Sequence, residues 1–217
     1  MSGGGVKKLP DLSAAPVDWP RSAVRGGGTL ILVVGPSGAG KDTLINAARM
    51  HFEGDKRIVF APRFITREDQ IGEQHETVSS AEFARIENEG GFFLSWRAHG
   101  LAYGIAADVQ ETLASGGSVA LNVSRRIIGE ARRKWPRTHV IQVTARPEVL
   151  RTRLLARGRE TADGIGRRLE RGGEIRLAEA DWLSELDNSA DLASAVAQFT
   201  VLISRLVSGS TGGGSGF

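Results

Sequence analysis

Five apolar residues in a row, Leu30-Ile31-Leu32-Val33-Val34, open the patterned part of the chain. The run is unbroken rather than alternating, which predicts a strand buried on both faces. A glycine-rich turn follows it, and then a helical stretch over about Asp42 to Met50. Arg57–Phe60 reads as a second short strand. Ser79-Ser80-Ala81-Glu82 has the capping-box pattern and predicts a helix running toward Asn88. Ser118–Val123 and Val140–Thr144 are further buried strands. Pro147 stands where a first helical residue belongs, with the helix continuing to about Arg157. A last helix is expected from about Asp191 to Val207. Strands alternating with helices imply an α/β fold, a parallel sheet with helices on both faces. No internal repeat is visible.

The flanks are different. Residues 1–28 are rich in Gly, Pro and small residues, and residues 208–217 read SGSTGGGSGF. Both are expected to be flexible tails around one domain at 29–207. Composition narrows the class further. Apolar residues make up 41% and charged residues 24% of 217, the balance of a soluble globular chain. There are no cysteines, which excludes disulfides, thiolate metal sites and a cysteine nucleophile, and fits a reducing cytoplasm. The apolar runs fall short of a bilayer span, and the opening MSGGGVKKLPDLS lacks the apolar stretch of a signal peptide, so no membrane partner is expected. A formal net charge of +3, without a lysine/arginine block interleaved with aromatics, gives no ground for nucleic acid. It suits an enzyme of polyanionic substrates. The oligomeric state stays open.

The turn after the first strand carries the chemistry. It reads Gly35-Pro36-Ser37-Gly38-Ala39-Gly40-Lys41-Asp42-Thr43, between a strand and a helix. Glycines let backbone N–H groups turn inward around a phosphate, and the helix N-terminus adds partial positive charge. Lys41 can reach the β- and γ-phosphates of a nucleotide. An ordinary glycine-rich turn is the bland alternative; strand, loop, lysine and helix occurring in order favour the P-loop, and with it ATP and Mg²⁺. The position after the lysine is Asp42, where the strict motif has Ser or Thr. A carboxylate there can serve Mg²⁺ directly or through water.

The loop GPSGAGK, a TR pair, then FFL and YG, resemble the guanylate kinase family in order and spacing, over about Leu30 to Leu206. The resemblance implies a P-loop NTPase fold of the nucleoside monophosphate kinase type. It also implies a small acceptor-binding lobe, about 62–105, and a lid, about 157–168. In that family a TTR-x-x-R stretch holds the acceptor phosphate. Here Ile65-Thr66-Arg67 keeps the first arginine, the second falls on Gln70, and Glu73 matches the family's glutamate. The base-reading positions are altered: the family's glutamate falls on Ser95, its hydroxyl on Ile105, and its acidic strand residue on Asn122. Losing those hydrogen bonds removes base discrimination.

That combination is similar to the PhnN family of ribose 1,5-bisphosphate phosphokinases, kinases of phosphonate degradation. The matching stretches are GPSGAGKD, RFITR, GEQH, LSWRAHGLAYGI, LNVSR, RPEVLRTRLLARGRE and DNS. The resemblance implies ATP-dependent conversion of ribose 1,5-bisphosphate to 5-phosphoribosyl 1-diphosphate (PRPP). The acceptor is already an anionic phosphate oxygen, so positioning and cations suffice without a general base. Candidate cations are Lys41, Arg125 beside Arg126, and the lid residues Arg157, Arg159 and Arg168 beside Arg167. The acceptor's 5-phosphate is expected on Arg67 with Tyr103 and His75. Asn122 is a further substrate candidate, and Asn188 matches the position beside adenine or else caps the last helix. His75 and His99 either sit in loops or touch substrate, Trp96 packs the lobe, and Arg67 is preferred over Arg63. Arg151, Arg153, Arg171 and Arg176 are expected on solvated helix faces. Three other readings compete. Guanylate kinase is disfavoured by Gln70, Ser95 and Ile105. A noncatalytic guanylate-kinase-like module is disfavoured by the intact Lys41 loop. A sugar kinase of the gluconate or shikimate type is disfavoured by the lack of a base.

Overall fold

A computed structural model describes residues 27–67, 75–156 and 180–210. They fall into two compact units, one spanning 62–110 and the other built from the rest.

The larger unit is a parallel sheet. Its strands are β1 (Leu30–Val34), β2 (Ile58–Phe60), β7 (Ser118–Asn122), β8 (Thr138–Thr144) and β9 (Leu183–Asp187), in the order β2-β7-β1-β8-β9. β1 is central, with every residue buried, which explains its unbroken apolar sequence. It pairs in parallel with β7 on one side and β8 on the other. Chain order therefore reverses direction at β1. In such sheets ligands bind beyond the C-terminal ends of the strands at that point.

Helices α1 (Lys41–His51), α3 (Val109–Ala114, which runs into this unit from the smaller one), α4 (Ile128–Lys134), α5 (Pro147–Ala156) and α6 (Leu192–Ser210) complete the larger unit. By length and composition alone, α6 is apolar enough to cross a bilayer. Its stripe Ala195, Phe199, Ile203 and Val207, at helical spacing, is buried with Ile31, Val33, Ile141 and Val143 of the sheet. Burying each of the three larger side chains is worth about 1.5–3 kcal/mol. α6 thus packs one stripe on the sheet and leaves the rest of its surface partly or fully exposed.

Both tail boundaries move. Gly28, placed in the N-terminal tail, donates its N–H to the Leu113 carbonyl at 2.7 Å, and its own carbonyl accepts from Trp135 Nε1 at 2.9 Å. Trp135 is almost fully buried, so Gly28 is tied into the core. At the other end α6 continues to Ser210, past the expected stop.

The smaller unit holds a second sheet in the order β4-β3-β6-β5. Its strands are β3 (Arg63–Ile65), β4 (His75–Thr77), β5 (Phe92–Ala98) and β6 (Leu101–Ala106), with helix α2 (Ser80–Asn88). The Ser79 hydroxyl accepts from the Glu82 N–H at 3.1 Å, capping α2 as its sequence predicts. Phe64, Val78, Phe83, Ala102 and Ala106 form this unit's own core, with Phe92 packed against it.

Candidate active site

The loop after β1 is shaped by its glycines. Gly35, Gly38 and Gly40 all have positive φ, at 148°, 85° and 87°. A side chain at Gly35 would put its Cβ 2.1 Å from the Val143 carbonyl oxygen. One at Gly40 would lie 2.4 Å from the Asn188 amide nitrogen. The loop thus lies directly against β8 and the residue that follows β9. Gly40 caps α1 with no side-chain hydrogen bond, so the first N–H groups of α1 are left facing the loop. Lys41 Nζ donates to the carbonyls of Gly35 and Pro36, both at 2.9 Å, spanning the loop where a phosphate would sit. Ser37 and Thr43 are exposed, while Gly38 and Ala39 are buried.

Asp42 and Asn122 are brought together from 80 residues apart. The Asn122 amide donates to Asp42 Oδ1 at 2.5 Å. Asn122 ends β7, opposite Val33 of β1, and is buried. Among the described residues no trio of His, Asp or Glu side chains could hold a metal ion. Mg²⁺ needs no such cage: it favours one or two carboxylates plus substrate phosphates and water, and Asp42 at the loop supplies that much.

Asn188 follows β9 and is 1% exposed. Its amide donates to the Ala39 carbonyl at 2.8 Å, and its backbone N–H to the Thr144 carbonyl at 2.8 Å. Its Oδ1 is buried with no hydrogen-bond partner among the described residues. The helix-cap alternative for Asn188 does not hold, because Asp191 caps α6, its Oδ2 accepting from the Ser194 N–H at 2.8 Å.

Arg153 is the clearest departure from the sequence expectation. It is half-buried, with Nη1 buried and unpartnered among the described residues. That nitrogen lies 3.9 Å from where a Cβ on Gly40 would be. The expected solvated position is therefore wrong for Arg153, although Arg151 is exposed. The signal was its spacing: it sits three residues after buried Leu150 and directly before buried Leu154. Arg125 and Arg126 also separate. Arg125 starts a short 3₁₀ turn after β7 and is half-buried, and burial lowers its guanidinium pKa from the ordinary value. Arg126 is exposed.

In the smaller unit, Tyr103 stacks on Trp96 with ring centroids 5.3 Å apart and planes 7° from parallel. Ile65 is the partner of Tyr103 across the β3–β6 ladder, and His75 lies opposite Arg63 across β3–β4. Arg67 is half-buried just beyond β3. Ser95, at the lost base-reading position, lies near the Glu87 carboxylate of α2, which Arg97 grips at 2.5 Å and holds below its ordinary pKa. His99 and Gly100, both with positive φ, form the two-residue turn between β5 and β6. Glu73, Gln70, Arg157, Arg159, Arg167, Arg168, Arg171 and Arg176 lie outside the described residues.

Comparison with known proteins bears on this arrangement. No family model matches the chain. The chain is 42% identical over 173 residues to ribose 1,5-bisphosphate phosphokinase PhnN of Brucella melitensis, covering 79% of this chain and 90% of that one. It is 49% identical over 153 residues to the enzyme of the same name from Acidiphilium cryptum, covering 70% and 82%. Among solved structures, guanylate kinase from Anaplasma phagocytophilum superposes with a TM-score of 0.61 at 16% identity, over 83% of this chain and 86% of that one. That likeness establishes the guanylate-kinase-like fold. At such identity and coverage of curated relatives, this chain belongs to the PhnN family of ribose 1,5-bisphosphate phosphokinases.

Proposed function

We propose that this protein transfers the γ-phosphoryl group of ATP to the 1-phosphate of ribose 1,5-bisphosphate, giving ADP and PRPP. The observation that carries the reading is an intact P-loop, with Lys41 across its mouth and Asp42 held by Asn122 beside it, in a chain whose relatives bear that activity in their names.

The residues divide the work. Backbone N–H groups of the loop and of the α1 N-terminus cradle the β- and γ-phosphates. Lys41 exchanges its two carbonyl partners for phosphate oxygens and follows charge as it builds on the transferring group. Asp42, which accepts from the Asn122 amide, would hold Mg²⁺, and the ion would supply charge neutralisation for the phosphates. Asn188 and Arg153 stand beside the loop, and Asn188, whose Oδ1 has no partner among the described residues, is assigned to the adenine. Arg125, Arg157, Arg159 and Arg168 are assigned to the transferring phosphoryl. Glu73 is assigned to the acceptor, with the smaller unit's sheet.

In the step itself, an oxygen of the acceptor's 1-phosphate bonds to the γ-phosphorus. The bond from that phosphorus to the β,γ-bridging oxygen breaks, and its electron pair leaves on ADP. No proton has to be removed from the nucleophile, which accounts for the absence of a base among the assigned residues.

The experiment is incubation of the purified chain with ATP, Mg²⁺ and either ribose 1,5-bisphosphate or GMP, with separation of the products. PRPP should form, with kcat/KM for GMP lower by orders of magnitude, since the positions that read guanine are Ser95, Ile105 and Asn122. Equal use of GMP refutes the reading and restores guanylate kinase. The same family assignment supports a role in phosphonate catabolism and a cytoplasmic setting.

A further inference from the structure

The resemblance leaves one arginine of the acceptor pair unaccounted for, because its position is Gln70. The second sheet supplies another cation. Side chains alternate along a strand, so Arg63 and Ile65 share one face of β3 and Phe64 takes the other. The Phe64 face is the apolar core of the unit, under Val78 and Phe83. Thr66 still bonds to β6 just past the end of β3. Thr66 N–H bonds the Ala102 carbonyl at 3.1 Å, and the Thr66 hydroxyl accepts from the Ala102 N–H at 2.8 Å. Arg67 follows Thr66, four residues after Arg63, with Cα no more than about 13 Å from that of Arg63.

The register fills in the space between them. His75 lies opposite Arg63, Tyr103 opposite Ile65, and Trp96 opposite Tyr103. The face thus carries a cation and, beside it, a flat stacked aromatic pair, and a second cation, Arg67, follows two residues after Ile65. Arg63, His75, Tyr103 and Arg67 are all half-buried rather than exposed.

A nucleoside monophosphate has one phosphate, and two arginines three residues apart can both serve it. A sugar bisphosphate has two anionic ends with a furanose ring between them. It needs cations that are separated and aligned. We propose that Arg63, with His75 opposite, holds the 5-phosphate of the acceptor, that Arg67 holds the 1-phosphate that reacts, and that Tyr103, kept flat by Trp96, lies under the ring. This rests on ribose 1,5-bisphosphate being the acceptor. It moves the 5-phosphate from Arg67, where sequence alone puts it, to Arg63, because the register groups His75 with Arg63.

The test compares acceptors with and without the 5-phosphate. Wild type, Arg63→Ala, Arg63→Lys and Arg67→Ala are assayed at saturating ATP with ribose 1,5-bisphosphate and with ribose 1-phosphate. Arg63→Ala should raise the KM for the bisphosphate roughly 30-fold or more, the scale for breaking a desolvated charge pair. The KM for ATP and kcat should stay within about twofold, a split that loss of folding does not produce. With ribose 1-phosphate, Arg63→Ala and wild type should be equal, and Arg63→Lys should recover part of the bisphosphate KM. An equal penalty for removing the 5-phosphate in wild type and Arg63→Ala overturns the proposal. So does a penalty that vanishes in Arg67→Ala instead. Failure of wild type to make PRPP at all is a different result, and refutes the function rather than this division of the phosphates.

Discussion

Asn188 offers a sharp test, because two kinds of role predict different numbers for it. Its amide holds the Ala39 carbonyl of the phosphate loop at 2.8 Å, in a position only 1% exposed. Truncation to alanine leaves that buried carbonyl without its donor, a loss of about 1–3 kcal/mol. It also removes Oδ1, a buried acceptor with no partner among the described residues, which returns on the order of 1 kcal/mol. The net expectation for Asn188→Ala is a loss of about 1–2 kcal/mol. For a chain of this size that is a melting temperature lower by roughly 2–8 °C. Asn188→Asp keeps the shape but turns a carboxylate oxygen toward the Ala39 carbonyl and buries a charge there. It should cost more than about 3 kcal/mol. Both variants should raise the KM for ATP, since the loop they release is the one that cradles the phosphates. Asp191→Ala is the control. It removes the true cap of α6, should cost about 1 kcal/mol, and should leave the KM for ATP unchanged. Thermal unfolding and steady-state kinetics on the three proteins decide the matter. If Asn188→Asp melts with wild type and binds ATP normally, the brace from β9 to the loop does not exist.

Lys41→Ala should reduce kcat by about a thousandfold with little change in melting temperature, because its charge is aimed at the transferring phosphoryl and its bonds to the Gly35 and Pro36 carbonyls are ones a ligand would displace; turnover near wild type removes the P-loop assignment. His139 gives a pH signature. Burial depresses its pKa, Asp181 opposes that by raising it, and its ring sits 2.9 Å from the Ser184 hydroxyl. The unfolded chain thus binds a proton more readily than the folded one. Stability from this group is complete above about pH 6.5 and is lost as pH falls toward the lower folded value. His139→Gln should flatten the wild-type decline in unfolding midpoint below that pH, and parallel curves for the two proteins would show that its burial goes unfelt.

How far the sequence could be read depended on how local each signal was. β1 and the phosphate loop were legible because a strand buried on both faces is written as an unbroken apolar run, and the glycines and lysine that follow are contiguous. The strands of the smaller unit were not. β3 and β4 have three residues each, too few to show a period, and β4 reads His-Glu-Thr. β9 was missed for a different reason. It is an edge strand, with only Leu186 buried in Leu-Ser-Glu-Leu-Asp, so it lacks the apolar signature of its neighbours. Arg153 shows the limit of residue type as evidence. Most helical arginines are solvated, and only its spacing against Leu150 and Leu154 marked it as turned inward.

The pair Asp42 and Asn122 carries that point furthest. In the sequence they are two unrelated departures from the guanylate kinase pattern, an acid where a hydroxyl belongs after the lysine and an amide where an acid belongs on a strand. In the fold they are one contact, 2.5 Å long. Had the strand kept its acid, two carboxylates would meet at hydrogen-bond distance, and one would be forced to take up a proton. The amide removes that conflict and donates to Asp42 Oδ1. The loss of an acid on the strand and the gain of an acid after the lysine are thus coupled. Once an acid occupies the position after Lys41, an acid at the end of β7 becomes electrostatically costly, and with it goes the group that would have recognised guanine. A chain so altered keeps the phosphate chemistry of the fold while giving up its nucleobase, as a kinase of a sugar bisphosphate requires.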